Sequence, residues 1–293
     1  MVKLSFMSAM AAIAGLAYSQ CANPMQRPEI RSLSAQDRAR YLRAVNQLRE
    51  NGELDRLSSI HVENADTIHG HPRFLVFHRH FMNDFANALQ RVDPGVPVPY
   101  WDWSLDASNP AASALFTDSF LGGNGSGPNG CVQSGPLANW QMRVSTPHCL
   151  ARRFNNGDQI SPFWPPEALL SMQNTVSQYG ALSSGIENGC HGAVHLGISG
   201  DMSTMFAPND PFFFLHHGMV DKLWYDWQLM NPETRFAMYD NSNYQDPPVS
   251  ADEVLPGYPN VRVRDVLDPR SGALCYVYVD SGSGAATKRL MQE

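Results

Sequence analysis

The sequence predicts a mainly α-helical protein built as one domain, with long irregular connections and a few short strands. Three observations carry this. Apolar residues recur at helical spacing in several separate stretches, a long Gly/Pro/Asn/Ser-rich region lies between them, and no segment reads as a linker between two cores. The chain has 293 residues, 43% of them hydrophobic and 21 of them proline, which is enough for one sizeable core. No internal repeat is visible.

Ser34 and Asp37 form a capping box ahead of DRARYLRAVNQLRE, so the first helix is expected over 35–50. A helical apolar stripe runs over 73–91 and is broken by the VDPGVPVPYWDW that follows. Residues 104–164, including LGGNGSGPNG, read as long loops. Pro165 and Pro166 open a helix expected to reach about Tyr179, and a further helical stretch surrounds 187–196. Asp210-Pro211 supplies a cap and a proline for a helix that stops at Asn231-Pro232. Near the end, ALCYVYV (273–279) alternates like a strand.

The N-terminus, MVKLSFMSAMAAIAGLAYSQCANP, carries one charge at Lys3, an apolar run from Leu4 to Ala17, and small residues at Ala17 and Ser19. That is the layout of a secretory signal. Residues 1–19 are therefore expected to be removed, leaving 20–293 as a secreted, extracellular domain. The run is short for a membrane span, and no other segment is a candidate. Net charge is −7 and no stretch is strongly basic, which argues against nucleic acid, and no nucleic-acid partner is expected. Asn124-Gly125-Ser126 is a glycosylation acceptor pattern. Five cysteines in an exported chain predict two disulfides and one leftover thiol. Sequence does not fix the pairing; the expected set is Cys131–Cys149 within one loop region and Cys21–Cys275 tying the termini, with Cys190 left over.

Histidine is the informative excess, at ten residues. His191 and His195 in HGAVH are an i, i+4 pair on one helix face, able to grip a metal. In HGHPRFLVFHRHF, His78 shares the inward stripe of Phe74, Phe81, Met82, Phe85 and Leu89. His80 falls in register with Asp84 and Asn87 and should face outward, and His71 precedes Pro72, off the helix. In PNDPFFFLHHGMVDKLW, adjacent side chains point about 100° apart, so His216 and His217 do not both serve one site easily. Asp221, one turn beyond His217, favours His217 as ligand, because a metal-bound imidazole commonly has its other nitrogen oriented by an acceptor. His216 is then a buried neighbour expected to hydrogen-bond within the bundle. Helices projecting inward histidines to one centre can build a metal site. An all-imidazole set suits copper or zinc, and three ligands per metal leave each metal coordinatively open.

These stretches resemble a known family. HGHPRFLVFHRHF is similar to the first copper motif of tyrosinases, catechol oxidases and hemocyanins, NDPFFFLHHGMVDKLW to the second, and PYWDW (99–103) is typical of tyrosinases. The resemblance spans about 30 to 280. It implies an antiparallel four-helix bundle carrying a dinuclear site of two copper ions. One copper would be held by His61 (in SSIHVENADTIH), His69 and His78, the other by His191, His195 and His217. It further implies oxidation of ortho-diphenols to ortho-quinones with O2, and in tyrosinases the prior hydroxylation of monophenols. Glu187, one turn before His191, resembles the carboxylate that holds a water near the entrance and helps deprotonate the phenol. Gly192, Leu196 and Thr204 are the positions expected to meet substrate. Several efficient monophenol hydroxylases carry asparagine where this chain has Gly192, which favours diphenol oxidation here. Phe74, Phe77, Phe213 and Trp224 could wall the pocket.

Two departures from the family pattern stand out. No cysteine lies between Cys21 and Cys131, so no thioether to a copper-site histidine is expected; Thr67 stands two residues before His69. Only 15 residues follow Tyr276-Val277-Tyr278, so no C-terminal plug domain is expected and the site should be open. Competing readings are a hemocyanin-like oxygen-binding protein and an ortho-aminophenol oxidase. A zinc hydrolase built on HGAVH leaves the other histidine cluster unexplained and lacks a glutamate directly after the first histidine.

Overall fold

Ser34 Oγ accepts the Asp37 N–H at 3.0 Å, and helix α1 (Ala35–Glu50) follows as the capping pattern requires. In this computed structural model, residues 21–272 and 274–280 are described. The expected signal at 1–19 lies outside them, as does Ala273 of the expected strand. Helix α1 buries Tyr41, Ala44, Val45 and Leu48, the i, i+3, i+4, i+7 face of an amphipathic helix. Gly52, at φ +86°, makes the left-handed turn that glycine permits, and α2 (Glu53–Ile68) begins there. Helix α2 has no counterpart among the expected elements. Its buried face is Leu54, Leu57, His61, Ala65 and Ile68, a spacing diluted by the acidic and polar residues around it.

Helix α3 (Arg73–Val92) buries Phe74, Phe77, His78, Phe81, Met82, Phe85 and Leu89, the stripe read from sequence. His80 departs from expectation. It lies half-buried with its ring 4.4 Å from that of Tyr258, because the hairpin of β4 (Val254–Leu255) and β5 (Tyr258–Arg262) packs over the outer face of α3.

The helix opened by the double proline is α4 (Pro166–Thr175), which ends before Tyr179. A separate α5 (Tyr179–Ile186) starts there. The break comes from distant residues. The Asp240 carboxylate accepts the Tyr179 and Gly180 N–H groups at 3.0 and 3.1 Å, capping α5. The Trp227 indole N–H donates to the Val176 carbonyl at 2.8 Å inside the gap. One π-type turn (Glu187–His191) leads into α6 (Gly192–Ile198). Helix α7 (Phe212–Leu229) follows Pro211, and Asp210 Oδ1 caps it by accepting the Phe212 N–H at 3.0 Å. The short α8 (Pro232–Arg235) comes next.

Strand β1 (Met25–Arg27) pairs in parallel with β6 (Tyr276–Tyr278), Met25 opposite Tyr276. β2 (Gln141–Met142) pairs antiparallel with β3 (His148–Cys149). The disulfides are Cys21–Cys275 and Cys131–Cys149, as expected, and Cys190 is a buried thiol. The core sits between α3 and its packing partners α1, α2 and α7, with Trp101 and Trp103 of PYWDW fully buried beside it. No helix among the described residues is long and apolar enough to cross a membrane. In the glycosylation pattern, the Asn124 amide donates to the Gly157 carbonyl and accepts the Phe154 N–H, both at 3.0 Å.

Candidate metal centre

Helices α2 and α3, with the turn between them, bring His61, His69 and His78 together. The 187–198 stretch and α7 bring His191, His195, His216 and His217 together. Within each group, one ring nitrogen per residue lies within 4.8 Å of the others. The groups abut: the rings of His78 and His217 stack with centroids 4.4 Å apart.

Hydrogen bonding fixes most of the tautomers. His69, His78 and His191 each direct Nδ1 to the carbonyl four residues back, at 3.1, 2.7 and 3.0 Å. His61 directs Nδ1 to the Met205 carbonyl at 2.7 Å, and His195 to the Met202 carbonyl at 2.5 Å. A carbonyl only accepts, so each of these Nδ1 atoms carries the proton and each Nε2 presents a lone pair. His61 Nε2 and His78 Nε2 then face each other at 3.4 Å, and His195 Nε2 faces His217 Nε2 at 3.3 Å. In the His61–His78 pair both nitrogens are acceptors, and two acceptors at that distance repel unless a cation lies between them. The spacing suits two nitrogens each about 2 Å from one ion. Burial supports the same state. It pushes His61 down to about 3 and His195 to about 4, and drives His78, His191 and His217 well below the usual imidazole value. Neutral imidazoles are the metal-binding form.

Two expectations about α7 are corrected. Asp221 does not touch His217. Its carboxylate takes Arg79, Tyr276 and Tyr278 instead, because charged and hydroxyl donors on α3 and β6 converge on it, and His217 Nδ1 is buried without a partner. His216 does not hydrogen-bond within the bundle. Both its ring nitrogens are buried and unpartnered, and its ring stacks on His191 at 5.2 Å.

Glu187 is buried, with Oε1 accepting the Gly70 N–H at 2.7 Å and Oε2 the Tyr244 hydroxyl at 3.2 Å. Burial pushes its carboxyl up to about 7 against those two bonds. Tyr244 was not singled out from sequence, since it lies in a polar loop far along the chain. Phe74 packs between His78 and His191 at 4.8 Å from each, and Phe213 stacks on His217 at 4.1 Å. These two and Phe77 are fully buried, so they support the histidine rings from behind. Trp224 packs against Tyr179 and under the Arg79 guanidinium. Gly192 opens α6, Leu196 is 63% exposed, and the Thr204 hydroxyl donates to the Asp201 carbonyl at 2.8 Å and accepts the Phe206 N–H at 3.2 Å.

Two adjoining imidazole clusters on a mainly helical scaffold define a protein built for a pair of metal ions. The common central domain of tyrosinase matches residues 51–230, and the chain belongs to the tyrosinase family. It is 34% identical over 229 residues to the tyrosinase of Streptomyces antibioticus, which covers 70% of this chain and 83% of that protein. Its fold is similar to a polyphenol oxidase from Thermothelomyces thermophila (TM-score 0.74, 23% identity, 88% of this chain and 89% of that one). It is also similar to a functional unit of octopus hemocyanin (TM-score 0.56, 18% identity, 87% of this chain and 68% of that one). The protein is accordingly a tyrosinase or catechol oxidase-type oxidoreductase acting on phenols, with a dinuclear copper cofactor.

Proposed function

We propose that residues 20–293 form a secreted catalytic domain that uses O2 to oxidise ortho-diphenols to ortho-quinones. In this reading His61, His69 and His78 hold one copper, and His191, His195 and His217 hold the other. The paired Nε2 atoms facing each other within each cluster carry the assignment.

When bound, the copper pair supplies the oxygen chemistry and accepts the substrate's electrons. Each diphenol gives up two electrons and two protons, so two of them reduce one O2 to water. The protein's part is positioning. Backbone carbonyls fix five of the six imidazoles, and Phe74 and Phe213 exclude water behind them. Glu187, held near neutrality and oriented by Gly70 and Tyr244, takes the phenolic proton. In this reading Gly192, Leu196 and Thr204 are the positions that meet substrate. The missing side chain at Gly192 favours diphenols over monophenols. Two disulfides suit an oxidising, extracellular setting.

An oxygen carrier could use the same ligands. The half-buried His69 and His195, one in each cluster, favour an accessible, turning-over site instead. The test is metal analysis of the copper-loaded protein together with O2 uptake on catechol, phenol and ortho-aminophenol. Two coppers per chain and quinone formation from catechol are expected. Two coppers without turnover of any phenol would make this an oxygen-binding protein. One zinc and no copper would overturn the ligand assignment.

A further inference from the structure

The backbone between Asp201 and Phe206 reaches both clusters. Its Met202 carbonyl accepts from His195 Nδ1 and its Met205 carbonyl from His61 Nδ1, at 2.5 and 2.7 Å. One short strip therefore sets the ring orientation of an imidazole on each side of the dinuclear site. Internally it is braced by Thr204, whose hydroxyl links Asp201 to Phe206. Externally it meets one side chain at both ends. His148 Nε2 lies 2.8 Å from Asp201 Oδ1, and the His148 ring sits edge-on to the Phe206 ring at 5.4 Å. His148 is itself anchored. Its Nδ1 donates to the Thr146 carbonyl at 2.7 Å, and it stands in β3 beside Cys149, which is tied to Cys131. The Asp201 N–H also donates to the Ala151 carbonyl at 2.9 Å, just beyond the same strand.

We infer that His148 is a positioning residue for both copper sites, acting through the Asp201–Phe206 strip. It touches neither histidine cluster, so its effect reaches the ligands only by holding the two carbonyls in place. Outer contacts of this kind typically change metal affinity about 10- to 100-fold. The inference rests on the reading of His61 and His195 as ligands.

Wild type, His148→Ala and His148→Gln would be compared by copper removal with a graded chelator and by melting with and without copper. For His148→Ala, both coppers should leave together at roughly tenfold lower chelator concentration, and the copper-induced rise in melting temperature should shrink. Glutamine, which can still donate to Asp201, should restore much of both. A lower copper-free melting temperature with an unchanged copper-induced rise would make His148 a merely structural residue and overturn the inference. Weakening of one copper alone would also overturn it, because the strip would not join the two sites. Wild type that binds no copper would defeat the ligand assignment itself; wild type and His148→Ala holding two coppers equally tightly would defeat this inference alone.

Discussion

Arg79 Nε donates to Asp221 Oδ1 at 2.6 Å across the contact between α3 and α7, and both side chains are buried. Arg79 follows His78, and Asp221 lies one turn beyond His217. The pair thus locks the register of the two helices that carry His78 of one cluster and His217 of the other. The Tyr276 and Tyr278 hydroxyls donate to the other Asp221 oxygen, and Arg27 lies 3.6 Å from it. Burial alone would raise the Asp221 carboxyl, but Arg79 and Arg27 hold it below its usual range.

Asp221→Ala should therefore destabilise the copper-free protein by about 3–5 kcal/mol, since it leaves two guanidinium groups buried without a counter-charge. Denaturant unfolding measures this directly. A loss under about 1 kcal/mol, the range of an exposed pair, would show that water reaches Arg79 and that the ion pair is not what holds α3 on α7.

The adjacent histidines of α7 should respond differently to truncation. His217 Nε2 faces His195 Nε2 at 3.3 Å, as two ligands of one ion would, whereas His216 stacks on His191 with neither nitrogen engaged. His217→Ala is expected to leave one copper per chain. His216→Ala should retain two, held less tightly because the ring behind His191 is gone. Metal analysis decides it; equal copper loss in both variants would mean that His216 also ligates.

A pH effect should track the His148–Asp201 contact. Burial pulls His148 down, but the Thr146 carbonyl and Asp201 outweigh it and raise its pKa. Burial raises Asp201 to about 6 in spite of His148. Both groups therefore hold protons in the folded state that they would lose in the unfolded chain. The Asp201 shift comes from burial and persists without His148. The difference between wild type and a His148 variant therefore follows His148 itself, whose contribution to stability is complete below its unfolded value of about 6.5 and is lost as pH rises through the folded one. In the copper-free protein, the melting-temperature advantage of wild type over His148→Gln should be greatest in mild acid and shrink by about pH 8. Taking the difference cancels the opposite trend of the buried histidines, which both proteins share. An advantage that grows with pH would contradict this account.

What could be read from the sequence follows from how local each signal is. Helix α3 and its inward His78 were legible because a strong apolar stripe and the face of the helix coincide. The caps at Ser34 and Asp210 act within a few residues, so both helix starts were legible too. Helix α2 was missed because its buried face is interrupted by charged residues, and the break between α4 and α5 was missed because Asp240 imposes it from about sixty residues away. The same limit explains Asp221. Helical spacing placed it near His217, but Arg79, Tyr276 and Tyr278 arrive from other elements and claim it. The carbonyls of Met202 and Met205, which orient His195 and His61, carry no side-chain signature at all.

Gly192 is the position where substrate preference should be adjustable. Its backbone is helical, and a Cβ built on it would meet nothing nearer than the Glu187 carbonyl oxygen at 3.5 Å. A side chain fits there without strain, and leaving glycine behind should favour the helix by a few tenths of a kcal/mol. An asparagine amide would sit directly after His191 and one turn from the Glu187 carboxylate, able to share a water with it. A second hydrogen-bonding partner for that water is worth about 1 kcal/mol, roughly fivefold in rate, if it assists deprotonation of the phenol. A diphenol, which ionises more readily, gains less. Gly192→Asn should therefore raise the ratio of monophenol to diphenol turnover about fivefold, with the melting temperature unchanged or slightly higher. Initial rates on tyrosine and catechol, at matched copper content, test this. A ratio that stays level or falls in a fully copper-loaded, stably folded variant would show that the position does not govern proton removal from the phenol.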